Sequence, residues 1–346
     1  MKKVNSYETV LNENVGIRLN GNESFNNIGE KPLEEVLNAI KAYEFNRYPD
    51  SDWTKLREAY SKIIGVDKEN IIAGNGSDAM LDLIITSYIN KGEKVLTIDP
   101  DFSMYDFYIT CNEGKLIKFK TEEDGSFKLS DFLNFGKEYS PKLILISNPN
   151  NPTGHALDID EVEELVSNFP KTVVVMDEAY YEFYGNSALP LIDKYKNLIV
   201  TRTLSKAWGL ASLRVGFLIT NKERVGELKK YQVPYNVSQL SQNIACKVLE
   251  YPERVLETIE EIVFERERLF KELKAIENID PNKFTVYQSK ANFIYGKSTE
   301  LQTIKNVLDT KGIVIRYFDD ERFRISVGAP IENDILVNSL KDSFGY

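Results

Sequence analysis

Residues 203–214 read TLSKAWGLASLR. One lysine, Lys206, stands there between a serine and an Ala-Trp-Gly run, with Arg214 eight positions later. A lysine stripped of water gives up its proton more readily and becomes a nucleophilic amine able to form a Schiff base. The plain alternative is a solvated loop lysine, the usual fate of the residue. Two other segments also end apolar runs in polar residues. TVVVMD (172–177) closes on Asp177, and KLILIS (142–147) leads into SNPNNPTG (147–154). A carboxylate leaving a buried strand needs a partner, because an unpaired buried charge is costly. A helix cap or an ordinary salt bridge would also supply one. The Asn/Pro/Gly turn is rigid and can aim an Asn amide at a ligand, or it can simply connect two elements. In open α/β sheets, ligands sit beyond the carboxyl ends of the strands, where all three segments fall.

A competing signal lies in GNGSDA (74–79), which satisfies G-x-G-x-x-A after a short strand and before a helix. Asp99 ends the next strand-like run. This mimics the dinucleotide fingerprint and its acidic residue about 20 positions further on. A helix N-terminus behind a Gly-rich turn binds any phosphate, however. An NAD-binding oxidoreductase would also leave the other three segments without a task.

The elements that must carry these groups can be read from periodicity. IIAG, KVLTI (94–98), LIKF (116–119), LILIS, VVVMD, LIVTRT and RVGFLIT (214–220) are apolar strand-like runs separated by amphipathic stretches. That alternation predicts an α/β fold with a mainly parallel central sheet flanked by helices. DIDEVEELVSNF (158–169) predicts a helix with an acidic face. Beyond residue 250 a long charged helix (251–276) precedes four short strands, which suggests a smaller α+β unit. The expected division is a large domain over 40–245 and a small one built from 1–39 and 246–346. The chain has 346 residues and a net charge of −10, which argues against a nucleic-acid surface. No apolar run approaches the ~20 residues that span a bilayer. MKKVNSYETV lacks the apolar stretch of a signal peptide, so a cytoplasmic enzyme without membrane partners is expected. Cys111 and Cys246 have no metal or disulfide spacing, and no metal is expected. His155 is the single histidine, so a base in this chain is expected to be Lys, Asp, Glu or Tyr. His155 itself is read as a loop residue.

Taken in order, NPNNPTG, DEAY and SKAWGLASLRVG resemble the fold-type-I, pyridoxal 5′-phosphate (PLP) dependent aminotransferases of class I and II. RLNGNES, NRYPD, GNGSDAML, DFSMY and RISVG extend the resemblance from about Leu19 to Gly328. Within that group they look most like the histidinol-phosphate aminotransferases. The resemblance implies that Lys206 holds PLP covalently and moves the substrate proton, while Asp177 pairs with the pyridine nitrogen. Tyr180 and Asn151 would bond the ring's 3-oxygen. Ser77, Asp78, Thr203, Ser205 and Arg214 would cradle the phosphate. Tyr105, or alternatively Phe102, would stack on the ring. Arg324 would clamp the anionic end of the substrate, with Arg316 and Asn151 assisting. Tyr48 would reach the phosphate of a second subunit, making a homodimer the working unit.

The implied reaction is histidinol phosphate plus 2-oxoglutarate giving imidazole acetol phosphate plus glutamate, a step of histidine biosynthesis. An aromatic or broad-range aminotransferase and a phospho-amino-acid decarboxylase remain open on the same scaffold. The oxidoreductase and a non-catalytic small-ligand binder remain open outside it.

Overall fold

A computed structural model describes residues 16–41 and 43–345. Seven strands form the larger sheet: β2 (Ile71–Asn75), β3 (Lys94–Asp99), β4 (Lys115–Lys120), β5 (Leu143–Ser147), β6 (Val173–Asp177), β7 (Leu198–Thr203) and β8 (Val215–Ile219). They are preceded by β1 (Ile17–Leu19), which belongs to a second sheet. The order across the larger sheet is β2-β8-β7-β6-β5-β3-β4. Only β8 runs against its neighbours β2 and β7, and the remaining pairings are parallel.

The central strands have this place because their sequences leave no polar face. Every residue of β5, β6 and β7 is buried, the pattern of a parallel sheet covered on both sides. Each Val, Leu or Ile so buried contributes roughly 1.5–3 kcal/mol. A charge at Val175 would therefore lose that term and strand an unpaired ion. The crossover helix after β5, Ile159–Asn168, starts where the sequence signals it. Asp158 accepts from the Glu161 N–H while the Glu161 carboxylate accepts from the Asp158 N–H.

The second sheet adds β9 (Phe284–Tyr287), β10 (Phe293–Ser298), β11 (Ile313–Tyr317) and β12 (Arg322–Ser326), in the order β1-β11-β12-β10-β9. β1 pairs in parallel with β11, so the N-terminal segment joins the C-terminal strands. The long helix Pro252–Glu277 serves both cores. Val255 and Ile262 pack in the core of the larger sheet, and Leu269, Leu273 and Ile276 pack with Phe284 and Phe323 of the smaller. Among the described residues no helix is long and apolar enough to cross a membrane, and no His/Cys/Asp/Glu group could hold a metal.

Candidate active site

β5, β6 and β7 lie side by side and in parallel, so their carboxyl ends open on one edge of the sheet. Ser147 stands beside Asp177, and Asp177 beside Thr201. Past these ends the chain supplies the Asn150–Asn151 turn, the Ala179–Tyr180 turn and the Ser205–Lys206 turn. β2 ends on the same edge and turns at Gly76 into the helix Gly76–Tyr88. One cleft collects Ser77, Asp78, Asn151, Asp177, Tyr180, Thr203, Ser205, Lys206 and Arg214, together with Phe102. Ten residues singled out from the sequence thus line one cleft.

Glycine makes part of this packing possible. A Cβ on Gly216 of β8 would come within 2.3 Å of the Gly76 carbonyl carbon and the Ser77 nitrogen. β8 can therefore run tight against the turn that starts the helix. Arg214, one residue before β8, has φ 51°, a left-handed backbone uncommon outside glycine. That conformation swings its guanidinium back to the Asp78 carboxylate at 2.8 Å and the Ser205 hydroxyl at 3.3 Å. The Thr203 hydroxyl in turn bonds Ser205 at 2.9 Å. The Gly76 N–H donates to the Arg214 carbonyl at 2.8 Å, and the helix it starts has no side-chain cap. Uncapped N–H groups, hydroxyls and a guanidinium make an anion site.

Two groups in the cleft have shifted proton affinities. Burial is the main cause of the fall of the Lys206 pKa to about 8, and the charge of Arg324 adds to it. Its Nζ donates to the Gly21 carbonyl at 2.9 Å. Asp177 is 3% exposed, and burial pushes its carboxyl up to about 6 against hydrogen bonds from Thr201 (2.9 Å) and Tyr105 (3.0 Å). Both side-chain partners are neutral hydroxyls, a backbone N–H adds a third dipole, and among the described residues no cation forms an ion pair with the carboxylate.

Tyr105 and Phe102 occupy different places. Tyr105 is 1% exposed, donates to Asp177 and meets Phe102 edge-on, with ring centroids 5.5 Å apart. Phe102 lines this cleft and Tyr105 does not; the Tyr105 hydroxyl is committed to Asp177. On the opposite side, the Tyr180 hydroxyl accepts from Asn22 (3.0 Å) and Asn151 (3.4 Å).

A larger cleft adjoins the first and shares Phe102, Asn151, Tyr180 and Lys206 with it. Arg316, Arg322 and Arg324 from β11 and β12 form its cationic wall. Arg324 is 8% exposed and donates to the Asn151 amide oxygen and, at 2.8 Å, to the Asn20 carbonyl. Tyr48 lines neither cleft. It is 83% exposed and stacks on Tyr235 at 4.9 Å. His155 packs edge-on to Phe127 outside both clefts.

The dinucleotide reading fails on topology. In that fold the strand after the Gly-rich turn lies beside the one before it. Here β8, β7, β6 and β5 separate β2 from β3, and Asp99 stands far from Gly76 across the sheet.

Comparison with known proteins decides the family, because a profile of aminotransferase class I and II matches residues 14–340. The chain belongs to the class I and II aminotransferases. It is 39% identical over 339 residues to the histidinol-phosphate aminotransferase of Clostridium novyi (strain NT), covering 96% of this chain and 94% of that one. It is 36% identical over 348 residues to the histidinol-phosphate aminotransferase of Caldanaerobacter subterraneus subsp. tengcongensis, covering 99% and 97%. Its fold matches the crystal structure of histidinol-phosphate aminotransferase from Sinorhizobium meliloti in complex with pyridoxal 5′-phosphate. The TM-score is 0.86 at 23% identity, over 96% of this chain and 91% of that one.

The aminotransferase works with PLP, and the cleft has the features that this group needs. An amine with a lowered pKa lies on one wall, a carboxylate without a counter-charge on another, an apolar ring on a third, and the anion site at the end. The sequence left the N-terminal contribution unassigned. The Asn20 and Gly21 carbonyls hold Arg324 and Lys206, and Asn22 holds Tyr180. The one signal was RLNGNES itself, a polar run directly after a short apolar one.

Proposed function

We propose that this aminotransferase takes the amino group of histidinol phosphate and passes it to 2-oxoglutarate, as a step of histidine biosynthesis in the cytoplasm. The observation that carries this reading is the arginine wall of the outer cleft, placed next to Lys206. A substrate with an amine at one end and a phosphate at the other fits that layout. The names of relatives at 36–39% identity over nearly the whole chain support it.

In this reading PLP, when bound, would supply a carbonyl for the amine and a ring able to hold the electron pair left at the substrate Cα. Lys206 would anchor the group, and its amine would carry the substrate Cα proton. A base with a pKa near the working pH suits that task. Asp177 would pair with the ring nitrogen and keep it protonated. Phe102 would cover the ring face, with Tyr105 orienting Asp177. Tyr180 and Asn151 would hold the ring's 3-oxygen. Ser77, Asp78, Thr203, Ser205 and Arg214 would hold the phosphate. Arg324 clamps the anionic end of the substrate, with help from Arg316 and the Asn151 amide.

We take the working form as a homodimer in which Tyr48 reaches the cofactor phosphate of the partner subunit. Exposed Phe45, Tyr48, Tyr231 and Val233 support this as apolar surface of the kind that interfaces cover. We divide the chain into a large unit over 40–245 and a small one from 1–39 and 246–346, of which residues 1–15, 42 and 346 lie outside the described residues. The test is a panel of amino donors with 2-oxoglutarate as acceptor. Histidinol phosphate should exceed histidinol, phenylalanine and aspartate in kcat/KM by tenfold or more. Equal use of histidinol would remove the phosphate from the recognition, and carbon dioxide release from a phospho-amino acid would favour the decarboxylase reading.

A further inference from the structure

Ser147, beside Asp177 in the sheet, bonds another carboxylate. Asp101 follows Pro100 just past the end of β3 and lines the outer cleft. Its Oδ1 accepts from the Phe102 N–H at 2.7 Å and from the Ser147 hydroxyl. Its Oδ2 accepts from the Thr97 hydroxyl at 3.0 Å and from the Ser147 N–H at 3.4 Å. The Ser147 oxygen passes the connection on, accepting from the Asn151 N–H at 3.0 Å and the Asn150 amide at 3.2 Å. One carboxylate therefore ties the end of β3 to the end of β5. The two residues it secures, Phe102 directly and Asn151 through Ser147, face the same cleft.

A carboxylate at this place is costly, because burial pushes Asp101 up to about 7 in spite of its hydrogen bonds. Its four donors account for its retention. Two are backbone N–H groups that cannot turn to accept, so a smaller or apolar side chain would leave them unpaired. The charge of Asp101 also bears on the far side of the site. Burial first, then Asp177 and then Asp101, raise the pKa of the Tyr105 hydroxyl well above its usual value, which keeps that hydroxyl a donor to Asp177.

We infer that Asp101 is a positioning residue for the amino transfer, holding Phe102 on the ring face and the Asn151 turn at the ring edge through one carboxylate. This rests on the roles proposed above for Phe102 and Asn151, so the test includes a variant that probes those roles alone. Three variants of the full chain are compared with wild type: Asp101→Ala, Asp101→Asn and Asn151→Ala. The amide of the Asn variant can present its oxygen to Phe102 and Ser147 and turn its nitrogen to the Thr97 hydroxyl, which can accept. It sacrifices only the long Ser147 N–H bond.

The readouts are the Kd for added PLP and the pH midpoint of the visible band of the bound cofactor. A thermal melt of each variant serves as the folding control. Asp101→Ala should weaken PLP by tenfold or more and move the midpoint in the same direction as Asn151→Ala. Asp101→Asn should stay within about threefold of wild type. Should Asp101→Ala fail to fold, Ser147→Ala cuts only the connection to Asn151 and should weaken PLP about threefold with the same direction of spectral shift. If Asn151→Ala leaves both readouts unchanged, the underlying reading of the site fails and the inference with it. If Asn151→Ala changes them while the folded Asp101→Ala or Ser147→Ala does not, the site stands and the positioning role of Asp101 is overturned.

Discussion

Replacing Arg324 by glutamine should make Lys206 a poorer amine before any substrate is involved. Lys206 has a pKa lowered from 10.5 to about 8, first by burial and next by the charge of Arg324. At pH 7 about a tenth of an amine with that pKa is neutral, against roughly 0.03% of an unperturbed lysine. Arg324 shares the outer cleft with Lys206, and a cation at a separation of order 7–10 Å at an effective dielectric near 20 contributes roughly 2 kcal/mol, or of order one pH unit. Arg324→Gln should therefore raise the Lys206 pKa by about one unit and cut the neutral fraction at pH 7 about tenfold. The assay is the rate at which the apoenzyme captures PLP, followed by its visible absorption between pH 6 and 10. Wild type should show a midpoint near 8 and the variant one near 9. An identical midpoint would refute the argument that Arg324 tunes the lysine, and a wild-type midpoint near 10.5 would refute the burial as well.

Two more outcomes follow, one from the cleft and one from a buried carboxyl outside it. Asp177→Asn should move activity and stability in opposite directions. Loss of a charge about 3 Å from a pyridinium at an effective dielectric near 20 is worth roughly 5 kcal/mol, so kcat/KM should fall by about four orders of magnitude. The apoprotein at pH 7 should become more stable in a thermal melt, because the wild-type carboxylate is ionised in a buried place at that pH. Glu182 has both carboxylate oxygens buried, and burial raises its pKa to about 8 against the charge of Arg202 and a hydrogen bond from Trp208. The folded state then keeps a proton that the unfolded state loses above 4.5, so this residue makes stability fall as pH rises from about 4.5 to about 8. Glu182→Gln should flatten that decline in urea titrations run at pH 5 and pH 8, and an unchanged difference between the two would contradict it.

Much of this site was legible because the central strands announce themselves twice. VVVM and LIV are buried throughout, and each run leads to a residue that carries chemistry, Asp177 at the end of β6 and Lys206 three residues past β7. Given a parallel sheet, those ends must share an edge. The places of Tyr105 and Phe102 were not legible. They are three positions apart at a helix start, and spacing alone does not say which ring faces the cleft and which is drawn back by Asp177. The N-terminal contribution was hidden by distance along the chain. Asn20 meets Arg324 and Asn22 meets Ser326, each 304 positions away, and Gly21 meets Lys206 at 185. These are backbone and amide contacts that leave little periodic trace. The long helix Pro252–Glu277 reads as one amphipathic element, yet its two halves serve different cores.

The central claim is that the Lys206 amine is the point of covalent attachment and the carrier of the proton. Borohydride reduction of the PLP-loaded enzyme, followed by peptide mass spectrometry, tests it most directly. The account predicts that the yellow colour bleaches and that the cofactor's mass appears on the peptide carrying Lys206, with none on it in Lys206→Ala. Label on another lysine, or turnover retained by Lys206→Ala, would contradict the account.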